Sequence, residues 1–242
     1  MKLAIHSPRS SYYMGGAERY ILNYSLWLQK LGEKVSFITY DSPIKSEWFK
    51  KFQNNFKGEL VLIKSKKIDR LFYKFRNATM APVWDKEALL FSKESENFYK
   101  NNKFDLIILH YDVDCINILK RDKLCLHLHG LPSRKRAIEN IAIKIPDKII
   151  AVSNYVKNGW KKLYSINKKI FVVQNGINLS KKPKKSKKTI DIIYFGRIIR
   201  IKGVRTLIRS ISFLKKSFKD IRVEIVGEGP DMMNLVRLTK RL

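Results

Sequence analysis

The chain alternates short apolar runs with stretches of helical periodicity. Lys2–His6 begins with the apolar run Leu3-Ala4-Ile5, and a polar loop follows from Ser7 to Gly16. Ala17, Tyr20, Ile21, Tyr24, Leu28 and Leu31 then recur at the spacing of one helical face. Gly32 stands just past that face, where a helix stop is favoured. Val35–Tyr40 is the next apolar run. Strand, loop, helix and strand in this order predict the βαβ unit of a parallel sheet. Ser42–Asn102 is less regular and rich in Lys and aromatic residues, with helices predicted near Ile68–Arg76 and Lys86–Tyr99. Alternation then resumes. Strands are predicted at Asp105–His110, Lys123–His129, Lys148–Val152 and Ile170–Gln174, with helices over Arg134–Ile143 and Asn154–Tyr164. Each strand is a nearly continuous apolar run, the pattern of a sheet buried on both faces.

Ser180–Lys188 interrupts the pattern. Six of the eight residues from Lys181 to Lys188 are lysine, and Pro183 lies among them. Self-repulsion predicts an exposed linker, and a nucleic-acid patch is the sharper alternative. The organisation read from this is residues 1–179 as one domain, 180–188 as linker and 189–242 as the start of a second. That second domain opens with a strand over Ile190–Phe195 and a helix over Gly203–Phe218. Val223–Val226 is its next strand and Asp231–Leu242 its next helix. Two strands and two helices are too few to close a doubly wound domain. The second domain is therefore expected to be incomplete, with an open edge and uncovered apolar faces.

Composition narrows the partners. Fifty Lys and Arg against 21 Asp and Glu give a formal net charge of +29, so the chain should seek polyanions. Nucleic acid, an anionic membrane face and phosphorylated small molecules all qualify, and a bias toward Lys codons is the bland alternative. No nucleic-acid recognition motif is visible, so nucleic acid is not expected as a partner. Hydrophobic residues make up 45% of the chain, enough for a core and against wholesale disorder. Cys115 and Cys125 lack metal spacing and read as reduced core residues of a cytoplasmic protein. The N-terminus does not have the form of a signal peptide, and no apolar run reaches the length of a membrane helix.

Four places could carry chemistry. Gly15-Gly16 lies between the first strand and helix, where bare backbone can approach a phosphate at a helix N-terminus; a plain tight turn is the alternative. His127 and His129 are two apart on one strand and share a face. His129 is followed by Gly130-Leu131-Pro132 at the strand's C-terminal end, where open α/β sheets bind ligands, so it is read as functional and His127 as structural. Arg197 and Lys202 flank the start of the Gly203 helix, two cations suited to a diphosphate or simply solvated. Gly227-Glu228-Gly229-Pro230 ends the next strand as another tight loop, with Pro230 placed to start a helix.

In order along the chain these segments resemble the retaining GT-B glycosyltransferases of family four. Gly15-Gly16-Ala17-Glu18-Arg19 resembles its glycine loop and His129-Gly130 its strand-end histidine. Asp147–Ser153 and Asn175-Gly176-Ile177-Asn178 resemble two further signatures. Gly196-Arg197 to Lys202-Gly203 and Val226–Pro230 resemble its donor-binding half. The resemblance implies an α/β, GT-B-like fold, with a complete N-terminal Rossmann-like domain on the acceptor side and an incomplete second one. It implies a hexosyltransferase-type enzyme that takes a nucleotide-sugar donor and an envelope glycan or lipid-linked acceptor. Separately from the resemblance, Arg205, Arg209, Lys215, Lys216 and Lys219 make the Gly203 helix basic on its polar face, which suits peripheral docking on an anionic membrane face or simple solvation. His129 would be the catalytic contact to the transferred sugar. Gly15, Gly16, Arg197, Lys202 and Gly229 would bind the donor. No cofactor and no metal are expected, since the two cations replace one. The family's pair of glutamates beyond the cations has no counterpart, because only Glu224 and Glu228 follow Gly196. A non-catalytic binding module, or one half of a split enzyme, is the competing reading.

Overall fold

The computed structural model describes residues 1–75, 81–118, 122–132, 136–177 and 188–242. Arg76, Arg134, Asn178 and the Lys-rich segment as far as Lys187 lie outside the described residues. The chain divides into two compact units, Met1–Ile177 and Asn178–Leu242.

Unit one is built on a parallel sheet. Its strands are β1 (Lys2–His6), β2 (Lys34–Tyr40), β3 (Glu59–Ile63), β4 (Leu106–Leu109), β5 (Leu124–Leu128), β6 (Lys148–Ala151) and β7 (Ile170–Val172). Their order is β3-β2-β1-β4-β5-β6-β7. The chain winds outward from β1 in one direction and from β4 in the other, so the order reverses between these two strands. A crevice outside the carboxyl ends of β1 and β4 follows from that reversal.

The helices of this unit are α1 (Gly16–Lys30), α2 (Glu47–Asn55), α3 (Lys66–Phe75), α4 (Ala81–Glu94), α5 (Glu96–Asn101), α6 (Ala137–Ala142) and α7 (Asn154–Leu163). Short 3-10 turns at Pro8–Ser11 and Asp112–Cys115 follow β1 and β4. α1 stops as predicted. Gly32, at φ 86°, sits past its end, and the Gly32 and Glu33 N–H groups donate to Gln29 O and Leu28 O. That is the paired bonding of a Schellman stop, which a left-handed glycine permits.

Both faces of the sheet are covered. Ile5, Phe37, Phe49, Phe52, Ile108 and Cys125 pack on one side, while Ala4, Tyr40, Phe91, Leu109 and Leu126 pack on the other. Successive residues of β1, β4 and β5 thus feed opposite layers, which is why the strands are apolar throughout. Both cysteines are buried free thiols.

Within the irregular region of unit one, the single helix expected near Lys86–Tyr99 is two, α4 and α5, meeting at Ser95, and two elements, α2 and β3, were not expected. α2 is capped by the Ser46 hydroxyl, which accepts from the Phe49 N–H at 3.2 Å, and it buries Phe49 and Phe52. β3 is a half-buried edge strand paired to β2.

Unit two holds β8 (Ile192–Phe195), a 3-10 turn at Arg200–Lys202, α8 (Val204–Leu214), β9 (Val223–Val226) and α9 (Met232–Thr239). Among the described residues its sheet is the parallel pair β8-β9. Ile198, Val204, Ile208 and Leu235 form a small core beside Tyr194 and Ile225. α8 ends at Leu214 rather than Phe218, and the Phe218 N–H closes a last turn on Leu214 O at 2.8 Å. No helix among the described residues is long and apolar enough to cross a membrane.

Candidate active site

In unit one the candidate residues gather at the carboxyl ends of the strands. His110 follows Leu109, the last residue of β4, which pairs with Leu126 on β5, and its ring lies near that of His127 on β5. His129 lies just past β5. The three rings form one cluster. Centroids are 4.5 Å apart for His127 and His129, 5.2 Å for His110 and His129, and 5.6 Å for His110 and His127. His110 Nδ1 and His129 Nε2 share a hydrogen bond of 2.9 Å. α1 roofs the cluster with two residues one turn apart, Tyr20 and Tyr24. The Tyr20 ring is 5.3 Å from both His127 and His129.

Burial fixes the charge of these rings. It pushes His127 down to about 4 and, with His127 as a second cause, His129 down to about 3; His110 falls well below the usual range for the same reason. All three are therefore neutral imidazoles at physiological pH. Such a ring can donate or accept a hydrogen bond, but it does not supply an imidazolium proton. His110 Nε2, His127 Nε2 and His129 Nδ1 are buried without a partner. The turn after His129 is pinned by Trp160, whose indole N–H donates to Gly130 O at 2.9 Å.

His127 thus belongs to the same constellation as His129. Sequence reasoning missed His110 altogether. The available signal was its place as the last residue of the predicted strand Asp105–His110, beside the His127 strand in a parallel sheet.

Gly15 is the N-cap of α1 and Gly16 its first residue. A Cβ on Gly15 would collide with the Glu18 carboxylate, whereas one on Gly16 would meet nothing. The first helical bond is Arg19 N–H to Gly15 O at 3.1 Å, so the amides before Arg19 have no acceptor within the helix. Gly15 therefore serves packing, and Gly16 leaves the helix start open.

A second buried constellation lies beside this loop and was invisible in the sequence. Arg9, in the turn after β1, stacks its guanidinium 4.2 Å from the Trp84 ring centroid and 5.0 Å from that of Tyr111. Burial opposes its charge, but Glu87 and Glu18 more than offset that, and its pKa rises. At Glu87 burial wins over Arg9 and raises the carboxyl to about 7, while Tyr12 donates to it at 2.6 Å. Asp112 is likewise raised to about 7, by burial first and then by Glu139. Arg136 bridges Asp85 and Glu139.

In unit two, Arg197 follows the tip of β8 and Lys202 closes the 3-10 turn before α8; both are exposed. Among the described residues neither makes an ion pair. Gly203, at φ 71°, caps α8 and needs a left-handed backbone. Gly229 has a packing role: a Cβ there would collide with the Ile198 carbonyl. The loops after β8 and β9 approach closely, with Ile198 N–H donating to Glu228 O at 2.7 Å and Gly196 N–H to Val226 O at 3.0 Å. The β8 loop that carries Arg197 is thereby braced.

Comparisons with known proteins agree with this architecture. The model of Glycosyltransferase Family 4 matches residues 14–181. The Bacillus subtilis (strain 168) protein described as "Uncharacterized glycosyltransferase YqgM" is 25% identical over 152 residues, a match covering 54% of this chain and 42% of that protein. The chain thus spans less than half the length of that relative. A structure of a TarM mutant from S. aureus, in complex with Fondaparinux, alpha-GlcNAc-glycerol and UDP, matches with a TM-score of 0.68 and 11% identity. That match covers 100% of this chain and 75% of TarM. Sucrose-phosphate synthase from Thermosynechococcus elongatus matches with a TM-score of 0.62 and 13% identity, covering 94% and 70%. At these identities the two structures show a shared GT-B fold.

Proposed function

The chain belongs to glycosyltransferase family 4, and from that premise we propose that it takes part in sugar transfer from a nucleotide-sugar to an envelope glycan or lipid-linked acceptor. The transfer is of hexosyl type and proceeds with retention. The observation that carries the reading is the pair Arg197 and Lys202, exposed beside a braced strand tip and a helix start. When the glycosidic bond to the donor breaks, negative charge grows on the departing nucleoside diphosphate. A guanidinium and an ammonium fixed at that place stabilise it, Arg197 in a bidentate manner and Lys202 as a point charge. The two cations make a metal unnecessary for this step. Within unit one taken by itself, neutral His129 is suited to a hydrogen bond with a sugar hydroxyl and the helix start at Gly16 to an anionic group. The UDP in the TarM complex supports a nucleoside diphosphate as the ligand class. The exposed basic residues Arg205, Arg209, Lys215, Lys216 and Lys219 suit an anionic membrane face.

Calorimetric titration of UDP, GDP and ADP into the native chain tests the assignment. One of them should bind, and Arg197→Ala and Lys202→Ala should each weaken it by about tenfold or more, the loss of a charge-assisted contact. Unchanged affinity in both variants would remove the two cations from the donor site.

A further inference from the structure

We propose that His110, His127 and His129 form a binding site for one divalent transition cation of the zinc class. The site goes beyond the donor assignment in unit two and does not depend on it. Each histidine offers one ring nitrogen, and the three nitrogens lie within 4.8 Å of one another. Zinc bonds of about 2.0–2.1 Å place tetrahedral ligand nitrogens about 3.3 Å apart, so small ring rotations close the set. Three imidazoles and a water make the open tetrahedron of many zinc sites.

The surroundings point the same way. His127 is 3% exposed, yet its Nε2 has no partner, and neither do His110 Nε2 and His129 Nδ1. Three unsatisfied ring nitrogens in one cluster are costly for a fold unless something binds them. His110 and His129 are only partly covered, so an ion can enter from the carboxyl edge of the sheet. Tyr20 and Tyr24 of α1 pack against the cluster. An all-imidazole ligand set selects zinc, nickel or copper and discriminates against magnesium and calcium, which want oxygen. One consequence rests on the sugar-contact reading of His129: the ion takes a nitrogen the sugar needs, so zinc opposes transfer.

The test is direct and needs no activity. Zinc chloride is titrated calorimetrically into the tag-free native chain near neutral pH, and cobalt(II) is followed by its visible absorption. One ion per chain should bind, and cobalt should show the intense band of a four-coordinate site. His110→Gln and His129→Gln, on the open edge, should each weaken zinc by at least about tenfold. The fourth histidine of the chain, His6, is the control. It lies outside the cluster, bonded to Tyr99 at 3.0 Å, and His6→Gln should leave zinc affinity unchanged. Zinc should also raise the melting temperature of the native chain and not that of a chain carrying both His110→Gln and His129→Gln. Absence of a one-to-one zinc isotherm, or binding that survives both edge substitutions, would overturn the site.

Discussion

Phe37 and Phe195 are both phenylalanines on parallel strands, yet Phe37 is fully buried and Phe195 is 82% exposed. Phe37 on β2 packs against Phe49 and Phe52 of α2, with the Phe52 ring centroid at 4.8 Å. Phe195 and Ile193 point away from the small core of unit two, while Ile192 and Tyr194 on the same strand are half-buried. The two strands read alike in sequence, as apolar runs. What separates them is cover. Unit one has helices on both faces of seven strands, whereas among the described residues β8 and β9 have α8 and α9 over one small core. An apolar run states that both faces of a strand prefer cover, and it does not supply the cover.

The largest expected effect breaks this comparison at its ends. Phe37→Ala should destabilise unit one by about 3–5 kcal/mol, the cost of removing a buried aromatic and leaving a cavity. Phe195→Ala should stay within about 0.5 kcal/mol, as for exposed positions. Urea unfolding of both variants checks the pair. A similar loss at both positions would mean that Phe195 is covered in solution.

The second effect is electrostatic and belongs to unit one. His127 and His129 have folded pKa values of about 4 and 3 against an ordinary 6.5. Between those limits the unfolded chain binds protons that the folded chain refuses, so stability falls as pH drops from about 6.5 toward 4. Glu87 and Asp112 act with the opposite sign. Their folded values of about 7 lie above the ordinary 4.5 and 3.8, so the folded chain holds protons that the unfolded chain has released. Their contribution is full at low pH and is lost as pH rises through about 7. His127→Gln should therefore flatten the acid side of a melting-temperature profile and leave the fall near pH 7 in place. Melting curves from pH 4 to pH 8, bracketing these shifts, decide it. An unchanged acid side would show that His127 is protonated in the folded chain.

Much of this was legible because unit one is locally consistent. β1, β2 and β4 to β7 are apolar runs bounded by turn residues, and α1 shows its face and its glycine stop. The family followed from ordered motifs, each weak alone. α2 escaped notice although Ser46, Phe49, Phe52 and Phe56 mark a cap and a helical face, because the surrounding lysines and aromatics hide the period. β3 escaped because Glu59 and Gly58 frame a half-buried edge strand with little contrast. The histidine cluster needed the order of β4 and β5, which sets His110 beside His127; sequence spacing across 17 residues does not show it. The buried carboxylates were out of reach for a stronger reason. A sequence prices Glu87 and Asp112 as surface charges, and only packing around Arg9 and Arg136 reveals that burial keeps them protonated near neutrality.

The smallest effect sharpens the comparison by asking where the units agree. Gly32 in unit one and Gly203 in unit two both hold left-handed backbone, at φ 86° and 71°. A Cβ on either would meet no atom within 4 Å. Steric cost from neighbours is therefore absent, and only backbone strain remains, about 1–2 kcal/mol for a residue with a Cβ. Gly32→Ala and Gly203→Ala should lose similar stability despite the different cover of their units, and Asn at either position should lose less, since Asn tolerates this region. Amide exchange reads each loss locally, in β1 and β2 for Gly32 and in β8 and β9 for Gly203. If Gly203→Ala costs much more than Gly32→Ala, the loop it closes carries a constraint beyond its own dihedral angles. The braced strand tip beside Arg197 is where that constraint would lie.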